Sequence, residues 1–224
     1  MNEKAEVKVY RYSPVRDKMP DYDFFEVPFA EGIKVLDVVQ HIYRNLDGAL
    51  GFDFCCRNSG CGLCGVTVNG DPALLCRRPA EKKMTIEPLQ NFPVKKDLKI
   101  DRSRFKNQLS RLRLFLERRE KPAEEPEKID MAAFADFKAA SRCISCLNCT
   151  SVCPAYAENS SRFKGPAVFA QLGRHFFDPR DELSRDIIAF SEGIEDCIHC
   201  GACDEACPHD LRPQRIIEKI GSRE

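Results

Sequence analysis

The first third of the chain alternates between hydrophobic and polar residues in the manner of β-strands. Val7 and Val9 share one face of segment 6–12, and a second alternating segment spans residues 25–29. Alternation with a period of two is typical of a strand that buries one face. Both segments are therefore predicted to be strands.

A helix and two further strands are predicted next. Within segment 34–44 the hydrophobic residues recur at helical spacing. The strand predicted at 66–68 runs into Asn69-Gly70, a strong hairpin signal because both residues tolerate positive φ. Another strand is predicted at 84–86. The first half of the chain is therefore predicted to be α+β, with a helix packed on a small sheet.

The segment between the two halves of the chain is strongly basic. Residues 95–119 carry ten basic and three acidic side chains, and their hydrophobic residues fall near one helical face. We predict an amphipathic helix that joins the halves; a basic docking face for a partner is the second interpretation. A short Pro/Glu linker is predicted at 121–126. The hydrophobic residues of the helical face are Phe105, Leu109, Leu112, Phe115 and Leu116.

The remainder of the chain is predicted to be all-α. Hydrophobic residues at helical spacing indicate helices at 131–140, 167–177 and 183–190. Pro213, which suits the first turn of a helix, opens a last one.

Length, composition and charge allow two modest domains and exclude some classes of protein. The 224 residues are 43% hydrophobic and have a formal net charge of zero, which argues against a nucleic-acid binder. The N-terminus has no hydrophobic signal region, and no run approaches the roughly 18 apolar residues of a membrane span. We therefore expect no membrane span of its own. The predicted domains are 1–103 and 131–224, with a connecting helix and linker at 104–130.

Thirteen cysteines in a chain without a secretion signal are expected to be ligands, because the cytosol keeps thiols reduced. The first group has the C-x4-C-x2-C…C spacing of plant-type [2Fe-2S] ferredoxins, which selects Cys56, Cys61, Cys64 and Cys76. Nearby glycines would let the loop backbone approach the cluster. A flexible glycine loop with surface thiols is the alternative. Cys55 is predicted to be a buried small hydrophobe; a redox-active thiol would require an exposed, electropositive site.

Two runs in the second half share one cysteine pattern, C-x2-C-x2-C-x3-C-P. Three cysteines of a run can surround one cubane cluster, and the fourth, offset by three residues and followed by proline, reaches the other cubane. Two zinc sites are the alternative, although zinc knuckles usually show separated C-x2-C pairs. His199, inside the second run, is expected to be exposed rather than to tune a cluster potential. The predicted [4Fe-4S] ligand sets are Cys143, Cys146, Cys149 and Cys207 for the first cluster, and Cys153, Cys197, Cys200 and Cys203 for the second.

A [2Fe-2S] domain followed by a helical two-cluster domain resembles the iron-sulfur subunit of succinate dehydrogenase and fumarate reductase. Beyond the cysteines, the resemblance includes segments 60–65 (GCGLCG), 68–70 (VNG), 96–98 (KDL) and 163–167 (FKGPA). It covers nearly the whole chain and implies a β-grasp fold for the first domain. It also implies single-electron transfer between an FAD subunit, where succinate and fumarate interconvert, and a membrane-associated, quinone-reactive subunit. No catalytic residue is expected on this chain.

Two departures from the better-known members of this family change the expected partner. Those members lack a cysteine at the position of Cys200 and hold a [3Fe-4S] cluster there, whereas Cys200 completes a cubane ligand set here. A second cubane resembles the branch whose partner is a cysteine-rich subunit similar to part of heterodisulfide reductase. The better-known members also carry a tryptophan of the quinone pocket shortly after the first Cys-Pro. This chain has Ala155 and Tyr156 there, and no tryptophan.

The expected partners are an FAD-containing dehydrogenase or reductase subunit and either a membrane-anchor subunit or a cysteine-rich subunit. Through such a complex the chain would be cytoplasmic and peripheral on the inner face of the cell membrane. One alternative is an electron-transfer subunit of another flavoprotein, acting on thiols, glycerol phosphate or a different dicarboxylate. Another is an iron-sulfur or zinc sensor, which would need a recognition helix or basic patch that the sequence does not show.

Overall fold

The computed structural model describes residues 3–119 and 127–222, which form two compact units. The first unit comprises the described residues up to Arg102 together with Cys146–Val152, and the second comprises the other described residues. The strands are β1 (Lys4–Arg11), β2 (Asp21–Pro28), β3 (Gly65–Val68), β4 (Asp71–Leu74), β5 (Lys83–Glu87), β6 (Val94–Lys96) and β7 (Lys99–Ile100). The helices are α1 (Val35–His41), α2 (Ser103–Arg111), α3 (Met131–Ser141), α4 (Asn148–Ser151), α5 (Pro154–Asn159), α6 (Pro166–Phe176), α7 (Arg185–Ser191), α8 (Ala202–Glu205) and α9 (Pro213–Gly221).

A mixed five-stranded sheet in the order β2-β1-β5-β3-β4 forms the body of the first unit. β1 pairs antiparallel with β2 and parallel with β5, and β5 pairs antiparallel with β3. Val7 and Val9 of β1 are buried together with Met84 and Ile86 of β5. The four strands predicted from the hydrophobic pattern are confirmed, although β2 begins earlier than predicted, at Asp21.

The predicted helix and hairpin of the first unit are also confirmed. α1 buries Val35, Leu36 and two further valines, and a wider, π-helical turn over Ile42–Leu46 follows it. Asn69 and Gly70 join β3 to β4 with φ values of 52° and 91°. Two successive positive φ values are what a tight hairpin turn requires, and these two residues adopt them at low cost.

The segment 96–98 (KDL) has a structural role in the first unit. Asp97 lies in the hairpin between β6 and β7 with a φ of 49°, and its residue surface is 3% exposed. Its carboxylate accepts hydrogen bonds from the backbone N–H groups of Tyr12 (3.1 Å) and Gly51 (2.7 Å). Arg11 approaches the same carboxylate at 3.4 Å. Asp97 therefore joins its own hairpin to two other segments of the unit through charge-assisted hydrogen bonds.

The second unit is helical, and α6 lies at its centre. Helices α2, α3, α7 and α9 all contact α6, whose residues from Pro166 to Gly173 are buried. The segment 163–167 (FKGPA) forms the start of this helix: Gly165 adopts a φ of 92° and Pro166 occupies the first turn. Proline suits that position because its missing N–H would have no partner within the helix. The helices predicted in this half of the chain are confirmed to within about two residues at most ends.

A buried arginine fixes the chain that follows α2. Arg185 is 2% exposed and donates hydrogen bonds to the carbonyl oxygens of Leu112 (2.9 Å), Arg113 (2.8 Å) and Phe115 (2.9 Å). Its Nη2 also lies 2.7 Å from the carboxylate of Asp181, which is equally buried. The guanidinium thus satisfies carbonyls that a continued helix would have satisfied internally.

The long amphipathic helix predicted over residues 95–119 is wrong in its extent. Segment 94–100 forms the short strands β6 and β7, and α2 ends at Arg111. Leu112 is fully buried, whereas Phe115 and Leu116 are exposed and lie beyond the helix. The Pro/Glu linker predicted at 121–126 lies outside the described residues.

Candidate iron–sulfur sites

The four cysteines predicted to hold the [2Fe-2S] cluster lie together in the first unit. The sulfur atoms of Cys64 and Cys76 are 3.5 Å apart, and the thiols of Cys56 and Cys61 interact with each other. Burial, followed by interactions with Cys76 and Cys61, raises the pKa of Cys64 to about 12. A buried thiolate of this kind requires a cationic centre, which the iron of a cluster would supply.

Backbone amides surround the sulfur of Cys56. The N–H groups of Asn58, Gly60 and Cys61 donate to it at 3.5, 3.2 and 3.3 Å. The bond from Asn58 is the largest cause that lowers the pKa of Cys56, which falls to about 7. Amide donors aimed at a thiolate are typical of iron–sulfur loops, because hydrogen bonds to sulfur stabilise its negative charge.

Residues with positive φ shape this loop. Arg57, Ser59 and Gly62 have φ values of 60°, 56° and 67°. Gly65 serves a different purpose, since a Cβ there would lie 3.0 Å from both the Cys146 carbonyl oxygen and Cδ1 of Leu89. The glycine-rich pattern therefore reflects both backbone conformation and close packing.

The four cysteines predicted to hold the second [4Fe-4S] cluster line one small cavity of the second unit. Burial raises the pKa of Cys153, and the nearby Cys197 and Cys200 raise it further. Burial likewise raises the pKa of Cys203, with Asp204 and the other three cysteines adding to the effect. Four thiols that converge in this way fit an iron–sulfur cluster, whose core would remove their mutual repulsion.

The cysteines predicted for the first [4Fe-4S] cluster fall into two pairs. Cys146 and Cys149 are buried and belong to the first unit. Cys143 and Cys207 belong to the second unit. Burial raises the pKa of Cys143, and the charge of Cys207 raises it further. The backbone N–H of Leu211 donates to the sulfur of Cys207 at 3.4 Å.

The two cysteine runs repeat one backbone conformation. Ser145 and His199, the second residues of the first gaps, have φ values of 54° and 53°. Leu147 and Gly201, the first residues of the second gaps, have φ values of 73° and 83°. The matching left-handed residues turn each run back on itself at the same two places, which is the geometry that a shared ligand pattern requires.

Two side chains of α6 and one arginine of the first unit support the ligand loops, and no sequence pattern indicated them. Gln171 donates to Oγ of Ser145 at 2.9 Å, and Arg174 donates to the carbonyl oxygen of Cys143 at 3.3 Å. Arg102 contacts the [2Fe-2S] loop. The residues that these side chains contact are distant from them along the chain, so the spacing of residues in the sequence could not have revealed these contacts.

The predictions for two residues beside the proposed ligands, Cys55 and His199, have different outcomes. Cys55 is exposed, so its prediction as a buried small hydrophobe is wrong. Its neighbour Cys56 turns inward toward the loop amides, and adjacent residues of an extended chain point in opposite directions. His199 is exposed as predicted, and its Nδ1 lies 3.5 Å from Oε1 of Glu218.

In the part of the chain that the structure describes, a directly ligated site for a single metal ion and a membrane-spanning helix are both absent. Within residues 3–119 and 127–222, no three or more His, Cys, Asp or Glu side chains are placed to hold one metal ion directly. Among the helices in the same ranges, none combines the length and the hydropathy needed to cross a membrane.

Comparison with known families finds two matching domains. Residues 6–107 match a 2Fe-2S iron-sulfur cluster binding domain, and residues 139–211 match a 4Fe-4S dicluster domain. The chain therefore belongs to the class of iron–sulfur proteins, with one 2Fe-2S domain and one 4Fe-4S dicluster domain, and the predicted α+β fold class is confirmed. The fold is also that of a chain in the Mycobacterium smegmatis Sdh1 complex, with a TM-score of 0.88, 21% identity and coverage of 100% of this chain and 98% of that one.

One curated relative that the chain covers almost completely identifies the family, and a second relative is matched over less than half of its length. The fumarate reductase iron-sulfur subunit of Mycobacterium tuberculosis is 36% identical over 228 residues, which cover 98% of this chain and 92% of the relative. The chain belongs to the family of iron–sulfur subunits of succinate dehydrogenase and fumarate reductase. A fumarate reductase (CoM/CoB) subunit of Methanothermobacter marburgensis is also 36% identical, over 215 residues that cover 96% of this chain. The chain spans only 43% of the length of that methanogen relative.

Proposed function

We propose that this chain relays single electrons within a succinate dehydrogenase or fumarate reductase complex, and that it holds one [2Fe-2S] and two [4Fe-4S] clusters. The clusters supply reversible one-electron chemistry when bound. The observation that carries the proposal is the convergence of four cysteines on one cavity in the second unit, with Cys153 of the first run joining Cys197, Cys200 and Cys203 of the second.

We assign four cysteines to each cluster, and the two cysteine runs exchange their fourth cysteines to complete the two [4Fe-4S] sets. Cys56, Cys61, Cys64 and Cys76 would hold the [2Fe-2S] cluster, in the loop where backbone amides face the sulfur of Cys56. Cys207, beside Cys143, would complete the first [4Fe-4S] set with Cys146 and Cys149. Cys153 would complete the second. No residue of this chain is assigned a catalytic role.

The chain's task is then to position the clusters and to tune their potentials. Hydrogen bonds to sulfur and nearby positive charge stabilise the more negative, reduced state of a cluster. The amides at Cys56 and the N–H of Leu211 at Cys207 would act in this way. Gln171 and Arg174 would keep the Cys143 loop in position.

The proposed partners are an FAD-containing subunit, where the dicarboxylate reacts, and a second electron-transfer subunit. The second is a membrane anchor or a cysteine-rich subunit similar to part of heterodisulfide reductase. Through it, the complex would be peripheral on the inner face of the cell membrane. The name of the methanogen relative, fumarate reductase (CoM/CoB), favours a thiol-linked electron partner as the alternative to a quinone.

Iron analysis together with EPR of the anaerobically purified full chain tests the cluster set. We expect about ten irons per chain, the sum for one [2Fe-2S] and two [4Fe-4S] clusters. The oxidised sample should show no intrinsic [3Fe-4S] signal. A stoichiometric [3Fe-4S] signal under strictly anaerobic handling would mean that Cys200 is not a ligand, and zinc in place of iron would overturn the proposal.

The native complex tests the partners. Purified with its subunits, it should contain FAD and interconvert succinate and fumarate with either a quinone or a thiol as the electron partner. Activity with glycerol phosphate instead of the dicarboxylates would assign the chain to another flavoprotein.

A further inference from the structure

One half-buried arginine of the first unit joins two loops that carry proposed ligands. A single atom, Nη2 of Arg102, lies 3.0 Å from the carbonyl oxygen of Gly62 and 3.2 Å from that of Leu63. The same atom lies 3.5 Å from the carbonyl oxygen of Cys146. Gly62 and Leu63 are the two residues between Cys61 and Cys64, so the guanidinium contacts the [2Fe-2S] loop at its ligand gap.

The charge of Arg102 acts on proposed ligands of two different clusters. It attracts the thiolate of Cys146, and it also attracts those of Cys64 and Cys61. The carboxylate of Asp53 attracts Arg102 as well, but Lys99 engages that carboxylate at 2.9 Å. A cation held among carbonyl oxygens keeps its charge, because arginine is not deprotonated in proteins.

We propose that Arg102 is a positioning residue that holds the [2Fe-2S] loop against the Cys146 loop and raises the reduction potentials of both clusters. Each cluster gains negative charge on reduction, and a nearby fixed cation stabilises that charge. The planar guanidinium carries several N–H donors and can therefore serve several carbonyls while its charge remains close to the thiolates. This inference rests on the proposed cluster set.

The test compares three variants of the full chain by EPR-monitored redox titration under anaerobic conditions. Arg102→Gln removes the charge, and Arg102→Lys keeps the charge but loses the planar array of donors. Arg16→Gln is the matched control, since Arg16 is an exposed arginine in the turn between β1 and β2. The second [4Fe-4S] cluster is the internal reference, because the thiolates that Arg102 attracts belong to the other two proposed ligand sets.

We expect Arg102→Gln to lower the midpoint potentials of the [2Fe-2S] cluster and the first [4Fe-4S] cluster, and to leave that of the second unchanged. Arg102→Lys should retain both potentials, with a lower thermal unfolding midpoint, and Arg16→Gln should match the wild type. Unchanged potentials in Arg102→Gln, or an equal fall in Arg16→Gln, would overturn the inference.

Two further outcomes separate this inference from the proposed function. A wild-type chain that contains no iron would refute the proposed function itself, whereas intact clusters with unaltered potentials would refute only the role of Arg102. If Arg102→Gln loses its clusters, Arg102→Lys provides the test. Midpoint potentials in Arg102→Lys equal to those of the wild type would then support the inference. Loss of the clusters in the lysine variant as well would show that the hydrogen bonds, and not the charge, are required, which overturns the tuning role.

Discussion

Cys200 is the residue on which the type of the second cubane depends. It is exposed, unlike the buried Cys153 and Cys203 with which it lines one cavity. Exposure makes the iron it would bind the one most accessible to loss, because solvent reaches that corner of the site. Without the Cys200 thiolate, the cluster would keep three protein ligands, and it is expected to lose the iron at that corner and convert to a three-iron form.

The serine variant of Cys200 tests this dependence. We expect Cys200→Ser to lose about one iron per chain and to gain a [3Fe-4S] EPR signal when oxidised, with the [2Fe-2S] spectrum intact. Cys55→Ser is the matched control, because Cys55 is also an exposed thiol but stands outside the ligand spacing. Full iron content and an unchanged oxidised spectrum in Cys200→Ser would contradict the ligand role.

Arg185 is expected to dominate the stability of the chain segment after α2. Arg185→Met removes one partner of a buried ion pair and leaves the carboxylate of Asp181 without its arginine, which costs about 3–5 kcal/mol. Arg119→Met provides the control, since that side chain is 92% exposed and its pairing with Glu182 should be worth about 0–1 kcal/mol. Thermal unfolding of the iron-loaded variants measures both; equal midpoints would contradict the role of Arg185.

At the scale of elements, local patterns predicted α1, the β3–β4 hairpin and helices α3, α6, α7 and α9, because the hydrophobic period and the turn residues agree there. The segment after α2 escaped prediction. Its hydrophobic residues continue a helical pattern, but Arg185, 73 residues away, binds the Leu112 carbonyl and stabilises a non-helical path. The contacts of Arg102 were not predicted for the same reason, since its carbonyl partners lie about 40 residues away along the chain. Tertiary contacts of this kind leave no periodic signal.

The packing of α6 against α9 depends on the absence of a side chain at Gly173. A Cβ there would lie 2.5 Å from Cγ2 of Ile216. Gly173→Ala gains about 1 kcal/mol of helix propensity but overpacks a buried contact at a cost of roughly 1–3 kcal/mol, so we expect a lower unfolding midpoint. Gly221→Ala, at an open position of α9, should cause no loss. A Gly173→Ala chain as stable as Gly221→Ala would show that the helices can move apart freely.

For the whole molecule, the clusters are expected to contribute to folding as well as to electron transfer. Buried thiols such as Cys64 and Cys203 lie beside other cysteines that would repel them as thiolates. Bound iron would remove that repulsion, so removal of iron by a chelator under anaerobic, reducing conditions should lower the thermal unfolding midpoint. Reconstitution with iron and sulfide should restore it. Identical midpoints with and without iron would contradict this coupling.

The assignment of Cys146–Val152 to the first unit bears on the order in which the protein can be completed during synthesis. The side chain of Asn91 donates to the carbonyl oxygen of Ser151 at 2.9 Å, and Gly65 packs against the Cys146 carbonyl. A nascent chain that has left the ribosome only as far as Arg102 still lacks this segment. The amino-terminal unit therefore cannot complete its fold until residues 146–152 have been translated.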